Sequence, residues 1–242
     1  MCLQVPDLTW GTNKAVTDEV HVSGDFDSIC PDKARNENSQ AVKEVKQRLL
    51  VEIIEKFKMN QCLVFCRTNL DCSNMELYLN KFSCESSGKG SGSGGSSSGK
   101  KGLFSCCVLA GKLSQEQRRT NLKRFKDGEV RIMLCTDVAA RGIDINSLPF
   151  VVNMTLPDEA EDYIHRVGRV GRADKMGLAI TIVGEEEKVW YHTCGGKGSC
   201  TNRRLKSADG RGGCTTWLDE PDMLESVEAR LHQKVHYLLP TT

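Results

Sequence analysis

Five short apolar runs dominate the chain: QCLVFC (61–66), FSCCVL (104–109), RIMLCT (131–136), FVVNMT (150–155) and GLAITIV (177–183), each set apart from the next by a longer polar or helical segment. Each run is too short for a buried helix and lacks polar alternation, so both of its faces need cover. Strands of that kind, alternating with helices, fit an α/β parallel sheet with helices on both faces and right-handed crossovers. No unit of roughly 20–50 residues repeats, which excludes a solenoid. With 39% apolar residues in 242, the chain can fill such a core.

The intervening segments carry helix signals. SQAVKEVKQRLLVEIIEKF places Val42, Val45, Leu49, Ile53 and Phe57 at helical spacing behind Ser39, a good N-cap. Thr68 caps NLDCSNMELYLNKF, with Met75, Leu79 and Phe82 on its inner face, and Ser114 with Gln117 forms a capping box that opens a helix closed by Gly128. Asp158 is placed to cap a helix running through HRVGRVGR. Residues 1–36 read as an extended lead-in in which EVHVSG (19–24) alternates like a strand, residues 37–184 as the core domain, and 185–242 as a small C-terminal extension. The Gly/Ser tract at 86–102 reads as a mobile loop, natural or engineered.

Net charge is +1, from 33 Lys plus Arg against 32 Asp plus Glu, so any basic surface must be local. No apolar run approaches eighteen residues and the N-terminus lacks a signal-peptide pattern, so the chain reads as soluble, intracellular and without a membrane partner. Several of the twelve cysteines sit inside apolar strands, where reduced thiols act as small hydrophobes.

Chemistry concentrates in two loops. LCTDVAARGID (134–144) begins on a strand and breaks at its carboxyl end, where ligands gather in such folds. YIHRVGRVGR sets Arg166, Arg169 and Arg172 three apart after His165. On one helical face those charges repel unless an anion compensates, and phosphate suits the guanidinium fork. A solvated basic face is the competing explanation of the arginine row taken alone.

Together CLVFCRT, LSQEQRRTNLKRFKDG, LCTDVAARGIDI and YIHRVGRVGR resemble, in order and spacing, motifs IV, IVa, V and VI of the DEAD-box RNA helicases. The match runs over about residues 60–183 and implies the second of that family's two RecA-like lobes. EKVWYHTC and GCTTW resemble the extension of the DEAD-box helicase 1 subfamily. Neither Gly111-Lys112 nor Gly196-Lys197 satisfies a Walker A loop, so the phosphate-cradling first lobe is expected on another segment. Asp158-Glu159-Ala160-Glu161 has the look of a Walker B acid pair, but without that loop it reads as a helix start.

The resemblance implies roles residue by residue. Arg166 and Arg169 reach a terminal phosphate, Asp144 accepts from the nucleotide ribose beside Gly142, and His165 and Arg172 couple nucleotide to RNA. Arg67, Thr68, Gly111, Gln115, Arg118, Thr136 and Arg141 touch the RNA backbone, sequence-tolerantly. Ala110-Gly111-Lys112 departs from the family's frequent His-Gly-Asp, with Lys112 as an electrostatic substitute. ATP, with Mg2+ held mainly by the other lobe, completes the expected site. The subfamily further implies nuclear and cytoplasmic RNA processing and a tRNA-ligase complex.

An RNA-stimulated ATPase would then need both lobes, and this chain alone would be inactive. The rival reading is a non-catalytic RNA- or protein-docking module. In the extension, His192, Cys194, Cys200 and Cys214 offer four zinc ligands, but without paired knuckles a plain loop insertion fits better. Lys197, Arg203, Arg204, Lys206 and Arg211 could lengthen the RNA path.

Overall fold

The computed structural model describes residues 2–4, 31–85, 102–111, 113–145, 147–171, 177–192 and 214–236. The expected EVHVSG strand, almost all of the Gly/Ser tract, and the basic residues from Lys197 to Arg211 lie outside them. All five apolar runs form strands: β2 (Cys62–Phe65), β3 (Cys106–Leu109), β4 (Ile132–Cys135), β5 (Phe150–Asn153) and β6 (Leu178–Val183). A further strand, β1 (Cys2–Gln4), pairs with β6, so the lead-in supplies an edge of the sheet. The order is β1-β6-β5-β2-β4-β3, every pair parallel.

Six helices accompany the sheet among the described residues: α1 (Pro31–Lys56), α2 (Asn69–Glu85), α3 (Gln115–Lys126), α4 (Asp137–Ala140), α5 (Ala160–Val167) and α6 (Glu220–Leu231). The period-two pleat sorts each strand onto two cores. Cys62, Val64, Ile132, Leu134, Val152 and Ile180 pack on α1 and α2 through Leu50, Ile54, Met75 and Leu79. The alternate residues Leu63, Phe65, Met133, Cys135 and Val151 meet Phe125 of α3 and Ala139 and Ala140 of α4. Helices on both faces therefore follow from strands apolar on both faces. Cys62, Cys66, Cys72, Cys106, Cys107 and Cys135 are free thiols, and burial pushes Cys106 and Cys107 up to about 12, which keeps them protonated.

Local capping chemistry sets the middle helices. Ser114 Oγ accepts from the Gln117 amide at 3.2 Å while Gln117 Oε1 accepts from the Ser114 amide at 3.1 Å. Thr68 does the same with Asp71: its Oγ1 accepts from the Asp71 amide at 3.1 Å, and Asp71 Oδ2 accepts from the Thr68 amide at 3.0 Å. Gly128 follows α3 at φ +66°, a left-handed conformation that glycine adopts without strain.

Three expectations are corrected. Helix α1 begins at Pro31, not Ser39, so the last part of the lead-in is helical; buried Ser39 instead accepts through Oγ from the Lys188 amide at 2.7 Å. Asp158 does not cap α5: Glu159 holds the N-cap position without a side-chain bond, and Asp158 takes the Arg67 guanidinium. Helix α5 stops at Val167 with Gly168 as C-cap, so Arg166 and Arg169 do not share a helical face.

After β6 the chain forms an antiparallel hairpin, β7 (Glu186–His192) with β8 (Cys214–Asp219), which leads into α6. A buried ionic cluster ties this extension to α1. Lys46 Nζ donates to Glu187 Oε2 at 2.8 Å and to Glu220 Oε2 at 2.6 Å, and Glu220 also accepts from the amides of Gly184 at 2.6 Å and Leu156 at 3.2 Å. All three side chains are nearly inaccessible, at 2%, 4% and 0% exposure for Lys46, Glu187 and Glu220. Burial alone would lower the Lys46 ammonium, but its two carboxylates hold it above its ordinary value.

Burial pushes the Glu220 carboxyl up against the pull of Lys46. A carboxyl raised by folding contributes most at pH below its ordinary value, and that contribution is lost as pH rises through the folded value. Lys46→Met strands both carboxylates and is expected to cost about 3–5 kcal/mol of unfolding free energy at neutral pH. The penalty should shrink in acid, where Glu220, raised by burial, takes up a proton. Urea melts across the neutral-to-acid range check both parts, and a penalty that does not change with pH contradicts the cluster's role.

Candidate functional site

The carboxyl ends of β4 and β5 meet α5 at one corner of the sheet. Buried Thr136 leads from β4 into the single turn of α4, and Gly142 turns the chain at φ +75°. Beyond it Asp144 stands in solvent with its side chain 89% exposed and the Lys126 ammonium 4.0 Å away. Arg141 reaches across to α5, its Nη2 lying 3.1 Å from both carboxylate oxygens of Asp162. His165 Nδ1 lies 3.7 Å from the same carboxylate, with the ring largely exposed. The spacing of the two loops gave no signal for Asp162, which gathers both of these side chains.

Arg166 and Arg169 have different surroundings. Arg166 is 1% exposed. Its Nε and Nη2 donate to the two oxygens of Asp137 at 2.6 and 2.7 Å, and its Nη1 donates to Asn153 Oδ1 at 3.2 Å and the Thr155 carbonyl at 2.7 Å. The guanidinium carbon also lies 4.9 Å from the centre of the Phe65 ring. Four of five N–H donors are thus committed inside the protein, and withdrawing them would orphan buried acceptors. Arg166 is thus a brace between α5, α4 and β5, and it also lines the cavity at this corner.

Arg169, just past α5, donates through Nη1 to the Ile143 and Ile145 carbonyls at 2.6 and 3.2 Å and through Nη2 to the Ala140 carbonyl at 3.2 Å. It is half-buried and fixes the backbone on both sides of Gly142. Arg169 lines a cavity with Arg141, Gly142, His165, Asp137 and Phe65. Arg172, expected beside them, lies outside the described residues.

A second corner forms where β3 ends. Arg118, on α3, donates to the Gly111 carbonyl at 2.8 Å, while its Nε has no partner. Asn69, which the sequence reading missed, accepts through Oδ1 from the Gly111 amide at 3.1 Å and so joins this corner to the start of α2. Gln115 is exposed in the first turn of α3. Arg67 is not available in the same way: its side chain is 6% exposed, with one nitrogen donating to the Leu156 carbonyl at 3.0 Å and another to Asp158. Thr68 and Thr136 are buried, so of the expected RNA contacts Gly111, Gln115, Arg118 and Arg141 reach the surface.

Among the described residues no group of three or more His, Cys, Asp or Glu side chains is arranged to hold a metal ion. His192 and Cys214 are backbone partners in the β7–β8 register, and Cys194 and Cys200 lie outside the described residues. No described helix is long and apolar enough to cross a membrane.

The helicase conserved C-terminal domain matches residues 45–174. The chain is 46% identical over 218 residues to the Dictyostelium discoideum "Probable ATP-dependent RNA helicase ddx1", covering 89% of this chain and 27% of that protein. It is 48% identical over 195 residues to the Xenopus laevis "ATP-dependent RNA helicase DDX1", covering 80% and 24%. The chain thus spans about a quarter of the length of these relatives. Among solved structures, a DEAD box protein from Methanococcus jannaschii aligns at TM-score 0.53 and 27% identity over 84% of this chain and 39% of that one. Escherichia coli SrmB aligns at TM-score 0.55 and 23% identity, over 82% and 85%, a likeness of fold alone. The fold, the family match and these relatives together identify the chain as a member of the helicase conserved C-terminal domain family, a RecA-like lobe of the DEAD-box type.

Proposed function

We propose that this chain is one half of a two-lobe, ATP-dependent RNA helicase, contributing cations to the nucleotide site and part of a sequence-tolerant RNA path. The observation that carries the proposal is the cavity lined by Arg141, Gly142, His165 and Arg169 at the carboxyl end of the sheet, with exposed Asp144 on the same loop. Three of the five Arg169 donors hold the loop, which leaves two N–H groups for a phosphate oxygen. Asp144 is the acceptor for the ribose, and His165 links the two sites through Asp162.

The RNA path runs over Gly111, Gln115 and Arg118, where the dipole end of α3 favours phosphate. ATP and RNA each bridge two lobes, so together they favour the closed arrangement, and hydrolysis removes one bridge. Mg2+, when bound with ATP, neutralises phosphate charge; this lobe's own residues supply the guanidinium, the ribose acceptor and the loop geometry. The reading extends to RNA processing in the nucleus and cytoplasm, beside a tRNA-ligase complex.

A protein that joins this chain to an upstream RecA-like lobe is expected to hydrolyse ATP when RNA is added, whereas this chain alone does not. In that two-lobe protein Arg169→Ala lowers kcat about a thousandfold. An inactive two-lobe protein, or one indifferent to Arg169→Ala, makes a docking module the better reading. For RNA binding by the chain itself, Arg118→Ala should weaken unrelated single strands alike and reduce the slope of log affinity against log salt by about 1. An unchanged slope removes Arg118 from the RNA path.

A further inference from the structure

A second cavity, of about 380 Å³, opens between α5, β6 and the chain that follows α6. Tyr163, Ile164 and Val167 of α5 line it with Ala179 of β6, and Leu231 and Val235 complete an apolar groove. Ile164 and Leu231 are 36% and 38% exposed. A single exposed Leu or Ile needs no explanation, but two of them bordering one concave apolar surface mark a place for an occupant.

The chain itself is led into this groove from the end of α6. His232 takes the left-handed conformation, at φ 52°, that closes the helix, and the Gln233 amide donates back to the Glu228 carbonyl at 3.3 Å. The Glu228 side chain, on a residue 5% exposed, then accepts from the Val235 amide at 2.9 Å through Oε1 and from the Lys234 ammonium at 2.6 Å through Oε2. These bonds hold residues 233–235 back against α6 and leave Val235 and His236 in the lining.

The sequence continues Tyr237-Leu238-Leu239-Pro240, and residues 237–242 lie outside the described residues. Three large apolar side chains thus follow directly on a residue of the lining. At ~3.3–3.6 Å per residue no linker is needed to reach it, and a tethered segment meets the groove at high effective concentration. We propose that the groove is the seat of the chain's own segment Tyr237–Leu239, which clasps α5 to α6. Cover for Ile164 and Leu231 supplies the affinity, and the Glu228 bonds supply the direction. Ile164 and Gly168 line both this groove and the Arg169 cavity, so a seated segment backs the helix that carries His165 and Arg166. The seat does not depend on the nucleotide or RNA reading.

The test is methyl NMR of the 242-residue chain with labelled Ile, Leu and Val, beside a chain ending at His236. In the full chain the methyls of Leu238 or Leu239 should show NOEs to Ile164 or Val167 that persist on dilution. Removing residues 237–242 should shift the Ile164 and Val167 methyls, and a peptide of residues 237–242 added to the shortened chain should move them back. Hydrogen exchange reads the same clasp independently. The Gly168 amide, bonded to the Ile164 carbonyl at 2.8 Å, should exchange about tenfold faster in the shortened chain. Leu238→Asp with Leu239→Asp, which keeps chain length, should have the same effect, and Thr241→Asp should have none.

Ile164 and Val167 methyls indifferent to the truncation overturn the proposal. NOEs that arise only between a labelled and an unlabelled chain, and fade on dilution, give the groove to a second copy and overturn it too. Because the NOEs are read in the unaltered chain, they decide the matter even where a variant fails to fold.

Discussion

The buried pair of Arg166 and Asp137 is the contact on which the corner at the ends of β4 and β5 depends. Two charge-assisted hydrogen bonds fasten the start of α4 to α5, and the same guanidinium gathers Asn153 and the Thr155 carbonyl from the end of β5. With α4 fixed, its carbonyl end and the Ile143 and Ile145 carbonyls stand where Arg169 can bind them. Gly142 then makes its turn between supports on both sides. The corner is therefore preorganised by two arginines, one buried against Asp137 and one holding the carbonyls around Gly142.

A second ionic centre plays the equivalent part for the extension. Lys46 on α1, Glu187 on β7 and Glu220 at the start of α6 bring together three elements far apart in the chain. Glu220 also accepts the Gly184 and Leu156 amides, so the hairpin and α6 are locked to the ends of β6 and β5. Arg35 extends the contact along α1, its guanidinium carbon 4.0 Å from the centre of the Trp217 ring on β8. Through Glu187 the extension also lines a cavity between α1 and α2.

What the sequence disclosed was whatever depends on neighbours along the chain. The five strands were legible because both faces of each needed cover, and the Thr68 and Ser114 caps because their partners sit three residues on. Ser39 was misread because its hydroxyl serves β7, 149 residues away. The arginine row misled for a related reason. Equal spacing cannot reveal that one guanidinium is buried against Asp137, from another loop, while the next lies past the end of α5. Asn69 and Asp162 carried no motif signal because each acts by joining segments that meet only in the fold. The β7–β8 hairpin spans residues 186–219, too wide a separation for turn chemistry to announce.

The measurement closest to the central claim is a double-mutant cycle on unfolding free energy with Arg166→Ala, Asp137→Ala and the pair. If Arg166 braces the corner, the two losses are strongly non-additive, with a coupling of about 2–3 kcal/mol. Additive losses, with coupling near zero, would mean that the guanidinium is not held by Asp137. The brace between α4, α5 and β5 would then fall.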